Sequence, residues 1–69
     1  MRVQLTLWTI HRGDADVECS VEMIGEDLFD LHVDGGEVHI GETFQKTEAL
    51  LLRAESLRRE VERAPRYPA

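Results

Sequence analysis

The sequence predicts an α+β fold: a four-stranded antiparallel meander with one C-terminal amphipathic helix packed on its apolar face (ββββα). Apolar and polar residues alternate with a period of two from Val3 to Ile40, in runs broken by Gly-containing turns. The period then changes, with Leu50, Ala54, Leu57, Val61 and Ala64 recurring at steps of four and three. At 69 residues the chain makes one small domain, close to the lower limit for hiding enough apolar surface to fold alone. The domain is expected over residues 1–64, with 65–69 a loose tail after Pro65.

The first strand runs from Met1 to Arg12. Val3, Leu5 and Leu7 point inward, and Gln4, Thr6, Trp8 and Ile10 outward. Gly13-Asp14-Ala15 turns the chain. From Asp16 to Ile24, Val17, Cys19, Val21 and Met23 fall on the inner face, and Glu18, Ser20, Glu22 and Ile24 on the outer. A three-residue loop, Gly25-Glu26-Asp27, pairs Ile24 with Leu28, Met23 with Phe29, Val21 with Leu31 and Cys19 with Val33.

The third and fourth strands form a hairpin over Phe29–Thr43. Gly35-Gly36 is a dipeptide that accepts positive φ at both centres of a type I′ turn. In that register Asp34 faces Glu37, Val33 faces Val38, His32 faces His39 and Leu31 faces Ile40. Val38 and Ile40 complete the inner face.

The helix is expected from about Lys46 to Arg63, a stretch of strong helix formers without Gly or Pro. Thr43 or Thr47 supplies the cap, Leu51 broadens the buried stripe and Leu52 sits off it. Such a helix is only about 10 Å wide, whereas four strands spaced by about 4.8 Å present roughly 15–20 Å. Part of the apolar face is left bare, and a homodimer would close the gap.

Composition narrows the function. The lone Cys19 excludes an internal disulfide framework and a cysteine-based zinc cluster, and fits a reducing, cytoplasmic setting. No apolar run reaches the length of a membrane span, and the first residues enter a strand pattern with no secretory signal. The net charge of −6 is unevenly placed: residues 1–42 hold ten acids and two bases, residues 43–69 four acids and six bases. An acidic sheet region is thus joined to a mildly basic helix. Phosphates are repelled by the first and cationic surfaces attracted.

Four surfaces follow. On the outer sheet face, Glu18 lies beside Asp34 and Asp34 beside Glu37, while Glu22 lies beside Asp30. Opposed like charges destabilise a sheet unless they are solvated or meet a cationic partner. His32 and His39, placed directly opposite, have the ligand type for zinc or nickel but are as readily an ordinary wet surface. Trp8, on the outer face with Ile10, Ile24 and Leu28, is a candidate anchor at an interface. The helix carries Arg53, Arg58, Arg59 and Arg63, interleaved with Glu48, Glu55, Glu60 and Glu62 in an order that favours a solvated, salt-bridged face.

Nothing in the chain resembles a nucleophile elbow, an oxyanion device or a phosphate-binding loop. No catalytic residue, cofactor or metal site is expected. The ββββα order resembles, in topology alone, the small dimeric domains of Whirly and transcriptional-coactivator type that bind single-stranded nucleic acid, an activity that the acidic sheet opposes.

The function expected is a small non-enzymatic interaction or regulatory module, cytoplasmic and homodimeric, of the kind seen in phage-type inhibitors, antitoxin-like regulators or accessory subunits. It would bind a basic protein partner through Trp8, Glu18, Glu22, Asp30, His32, Asp34, Glu37 and His39. The alternatives are nucleic-acid binding through Arg53, Arg58, Arg59 and Arg63, and metal binding through the histidine pair.

Overall fold

The computed structural model describes residues 3–13 and 15–63; the expected tail 65–69, Ala64 of the helical stripe and Asp14 of the first turn lie outside them. The strands are β1 (Val3–Arg12), β2 (Ala15–Gly25), β3 (Leu28–Gly35) and β4 (Val38–Phe44), and α1 spans Thr47–Arg63. All neighbours pair antiparallel in the order β1-β2-β3-β4, an open meander with the helix laid on one face. This is the ββββα architecture expected from the alternation.

The core is the seam between helix and sheet. Leu50, Ala54, Leu57 and Val61 of α1 are buried against Val17, Cys19, Leu31 and Val33, all on the inner face of β2 and β3. Each step of four or three along the helix keeps the next apolar residue on the same side, so one stripe meets the central strands. Leu51, expected to broaden that stripe, is instead 55% exposed, and Leu52 is 74% exposed.

Two registers differ from simple alternation. In β1 the pairing runs Val3–Met23, Leu5–Val21 and Thr6–Ser20, then resumes at Trp8–Cys19 and Ile10–Val17. Leu7 is the extra residue of a β-bulge. Beyond it the side-chain phase reverses. Trp8 and Ile10 therefore stand on the inner face, not the outer, and both pack against the core together with Leu7.

In the last hairpin the pairs are Asp34–His39, Val33–Ile40, His32–Gly41, Leu31–Glu42 and Phe29–Phe44. The turn is Gly36-Glu37, one residue later than expected. Gly36 has φ +57°, and no residue other than glycine has positive φ among the described residues, so the central pair has the φ pattern of a type II′ turn, not I′. Gly35 is kept inside the strand by its neighbour: a Cβ there would overlap the Asp16 carbonyl of β2. Moving the turn by one residue slides β4 by two, which preserves every face. It sets Glu42 opposite Leu31 and Phe44 opposite Phe29, on the inner side.

Both edge strands hold the helix. Arg53 reaches Glu42 of β4. From the opposite edge, Trp8 Nε1 of β1 donates to the Ala54 carbonyl at 3.1 Å, and Arg12 Nη1 donates to the Val61 carbonyl at 3.1 Å. The Arg12 guanidinium thus sits at the carbonyl-rich end of the helix, where a cation is favoured. The corner formed by the start of β1 and the end of β2 is left uncovered. Val3 (59%), Leu5 (60%) and Met23 (51%) remain exposed there although they point to the helix side.

Candidate functional site

Alternation on β2 and β3, with the bulge in β1 and the slide in β4, fixes what the other face displays. Its rungs across the sheet are Gln4–Glu22–Asp30–Thr43, Thr6–Ser20–His32–Gly41 and Thr9–Glu18–Asp34–His39, with His11–Asp16 beyond. No lysine or arginine stands in these rungs. The helix with its arginines lies on the opposite side of the sheet.

The expected pairings Glu18–Asp34 and Glu22–Asp30 are both present, so two like-charge pairs face one another directly across β2 and β3. Asp30 accepts from Thr43 Oγ1 at 2.8 Å and lies 3.8 Å from His32 Nε2. Asp34 accepts from His39 Nδ1 at 2.9 Å, and Asp16 from His11 Nδ1 at 2.7 Å. Ionised carboxylates only accept, so the imidazoles are the donors in both bonds. These neighbours orient the carboxylates without neutralising them by a fixed cation.

Four placements correct the sequence reading. His32 and His39 share a face but are not opposite: His32 pairs with Gly41, and His39 with Asp34. Glu37 lies in the turn and not beside Asp34. Trp8 is on the inner face with its indole N–H committed to Ala54, so the expectation of an outward anchor on the acidic face does not hold. Ile24 falls between the Met23–Phe29 and Gly25–Leu28 pairs and does not pair with Leu28.

Glu18, Glu22, Asp30, His32, Asp34 and His39 are brought together as expected. His11 was missed, because unbroken alternation in β1 turns it inward; the adjacent apolar pair Leu7-Trp8 is the signal that would have found the bulge.

A second grouping replaces the histidine pair as a place for a metal ion. One ligand atom each from Glu22, Asp30 and His32 lie within 4.8 Å of one another. Ligands at about 2.1 Å around a tetrahedral zinc stand roughly 3.4 Å apart.

The arginine-bearing helix is largely self-neutralised. Arg53 makes a forked contact with Glu42, Nε to Oε1 at 3.0 Å and Nη2 to Oε2 at 3.0 Å. Hydrogen bonding by this guanidinium holds the Glu42 carboxyl below the usual carboxylate range. Arg58 grips Glu55 in the same forked way at 2.9 and 3.1 Å, lowering the Glu55 carboxyl, and Arg59 approaches Glu55 at 3.6 Å. Cys19 is buried in the core, and burial pushes its thiol up to about 11, so it stays protonated and unreactive at neutral pH.

No family model matches this chain, and neither curated proteins nor solved structures give a match. Among the described residues no helix is long and apolar enough to cross a membrane.

Proposed function

We propose that this chain is a small non-enzymatic interaction module of the cytoplasm, homodimeric, which docks a basic protein surface on its outer sheet face. One observation carries the reading: acids on β2 and β3 oppose one another, while the chain's described arginines are held on the helix side. Among the described residues, then, no lysine or arginine stands in the rungs of this face, and the Glu18–Asp34 pair is opposed there directly. A partner presenting lysine or arginine would relieve the Glu18–Asp34 repulsion as it binds. The long-range field would speed encounter and fix orientation. The docking set is Glu18, Glu22, Asp30, His32, Asp34 and His39, joined by Asp16 and His11. Glu37, at the turn, lies at its border.

Affinity capture from the native cell tests this, using the wild-type chain beside the Glu18→Lys/Asp34→Lys variant. The expected result is a basic protein retained by the first, released by salt, and absent from the second. Identical captures from both would refute the reading. Nucleic-acid binding loses ground because Arg53, Arg58 and Arg59 already hold carboxylates. A low-salt titration with single- and double-stranded oligonucleotides would revive it if binding weakened steeply with salt.

The Glu22–Asp30–His32 grouping favours a second reading, a zinc- or nickel-dependent form of the same face. Addition of zinc should then move the His32 ring signals and leave His11 unchanged. An unchanged His32 spectrum dismisses this reading.

A further inference from the structure

We propose that two copies of this chain join through strand β1, edge to edge and antiparallel, so that the bare apolar corner beside β1 closes in the assembly. This rests on the homodimer in the reading above and supplies its interface; it is independent of what the acidic face binds.

Three observations select this surface. First, Val3, Leu5 and Met23 are more than half exposed although they point to the core side, and Val3 pairs with Met23. Leu51 lies one position, about 100° of helix rotation, from buried Leu50, on the side away from Arg53 and its β4 partner Glu42. It is therefore turned toward the same corner, and it is 55% exposed. These four side chains make a patch on the order of 400 Å², at the size that marks a contact site on a small protein. A standard interface buries about 800 Å² per partner, a little over half of it apolar. The patch therefore matches the apolar share of one such half-interface.

Second, the β1 edge has little protection against pairing, the bulge at Leu7 being its one irregularity. In a chain with 32% charged residues, Val3–Ile10 holds no charge, no proline and no glycine. An uncharged edge with exposed apolar side chains is a template for another strand. The other edge, β4, is shorter and carries Gly41 and Glu42.

Third, the charge layout permits the join. Acids on the outer face stand on β2 and β3, while β1 shows only Gln4, Thr6, Thr9 and His11 there. Two sheets can meet at β1 without bringing carboxylates together across the seam. A two-fold join is self-complementary: the start of each β1 runs beside the far end of the other. There the second copy's helix ends, next to its own Arg12, and so lies toward the first copy's bare corner.

Sedimentation velocity over a range of protein concentrations tests the proposal, with amide exchange read on the same samples. Wild type should sediment as a dimer with slowed exchange along β1. Leu5→Lys should weaken dimerisation by at least about tenfold and release the β1 amides. Its circular dichroism should match wild type, because Leu5 is 60% exposed in the single copy. Leu52→Lys, equally apolar but on the helix side away from the sheet, should change nothing. A wild-type monomer at high concentration overturns the proposal, as does a Leu5→Lys dimer of unchanged strength. A dimer whose β1 amides exchange freely overturns the edge geometry. Glu18→Lys/Asp34→Lys, which tests the docking face, should still dimerise, so failure of one reading is distinguishable from failure of the other.

Discussion

Replacing Gly35 with alanine is expected to be among the most damaging single methyl additions in this chain. The built Cβ would overlap the Asp16 carbonyl oxygen and stand 2.5 Å from Val17 Cα and 2.8 Å from the Asp16 carbonyl carbon. All three are backbone atoms of β2, so no side chain can swing away; the two strands must part where Val17 and Val33 are buried. Overpacking a well-filled site costs about 1–3 kcal/mol, and more where backbone must move. We therefore expect a loss of about 3 kcal/mol or more. A chain of 69 residues has a total stability of roughly 3–10 kcal/mol, so the variant should be largely unfolded or close to it. Urea unfolding followed by circular dichroism measures this. With a slope of about 1 kcal/mol per molar for so small a domain, the midpoint should fall by about 3 M. Two other glycines calibrate the result. Gly36 has φ +57° with the added Cβ only in ordinary contact, 3.6 Å from Ala15 Cβ; alanine there should cost about 1–2 kcal/mol of left-handed strain. Gly41 has neither problem, its nearest neighbour being His32 Nδ1 at 3.8 Å; alanine there should be neutral or stabilise by up to about 1 kcal/mol. If Gly35→Ala unfolds with the same midpoint as Gly41→Ala, the close approach of β3 to Asp16 is wrong, and with it the placement of the turn.

Trp8→Phe removes the indole donor to Ala54 while keeping an aromatic ring on the core side, and should lower stability by about 1 kcal/mol in urea unfolding; an unchanged midpoint would return Trp8 to solvent. The Cys19 thiol is pushed up to about 11 by burial, so alkylation at mildly alkaline pH should be slow and should follow global unfolding. Its folded form also binds the proton more tightly than the unfolded chain does, so its contribution to stability is intact below the ordinary thiol range and is lost as pH rises toward about 11; fast alkylation of the native protein would contradict its burial. Glu42 behaves oppositely: the Arg53 contact lowers its carboxyl in the fold. Its stabilisation is present above the ordinary glutamate range and disappears as pH falls through the lowered value. Glu42→Gln should flatten the acid limb of a stability-against-pH curve, and an unaltered limb would deny the pair an energetic role.

The elements were legible because their periods differ. Alternation marked four strands, and the four-and-three spacing named Leu50, Ala54, Leu57 and Val61, all of which are buried. What escaped was local phase. Three odd-numbered apolar residues in β1 are followed by the even-numbered Trp8 and Ile10. That switch at Leu7-Trp8 is a visible trace of the bulge, but it looks the same as an alternating strand with a wet tryptophan until the helix supplies the Ala54 carbonyl as a partner. The last turn was misplaced for a different reason. Gly35 and Gly36 are equivalent by sequence, and only the approach of β2 assigns one to the strand and the other to the turn. The face assignments survived because the resulting error was two residues, an even number. An error of one would have put Glu18 and Asp34 on opposite sides from His39.

That even slide matters for function, since it separates the two histidines yet leaves the acids aligned. Directly opposed imidazoles with nearby carboxylates would have made a metal pair the simplest use of the face. Moving His39 to Asp34 gives that carboxylate a titratable neighbour and leaves His32 beside Asp30 and Glu22. The electrostatics now read as a row of acceptors in which Asp16, Asp30 and Asp34 are oriented by a threonine or an imidazole, and which a lysine or arginine from outside can join. The helix takes the other role. By tying Arg53 to Glu42 and Arg58 to Glu55, it keeps positive charge from folding back on the sheet and leaves the outer face strongly negative. A 69-residue chain that opposes like charges on one face and leaves apolar side chains bare at one corner gives up stability in two places. Both losses are of the kind that association recovers, the first with a cationic partner and the second with another copy of the chain.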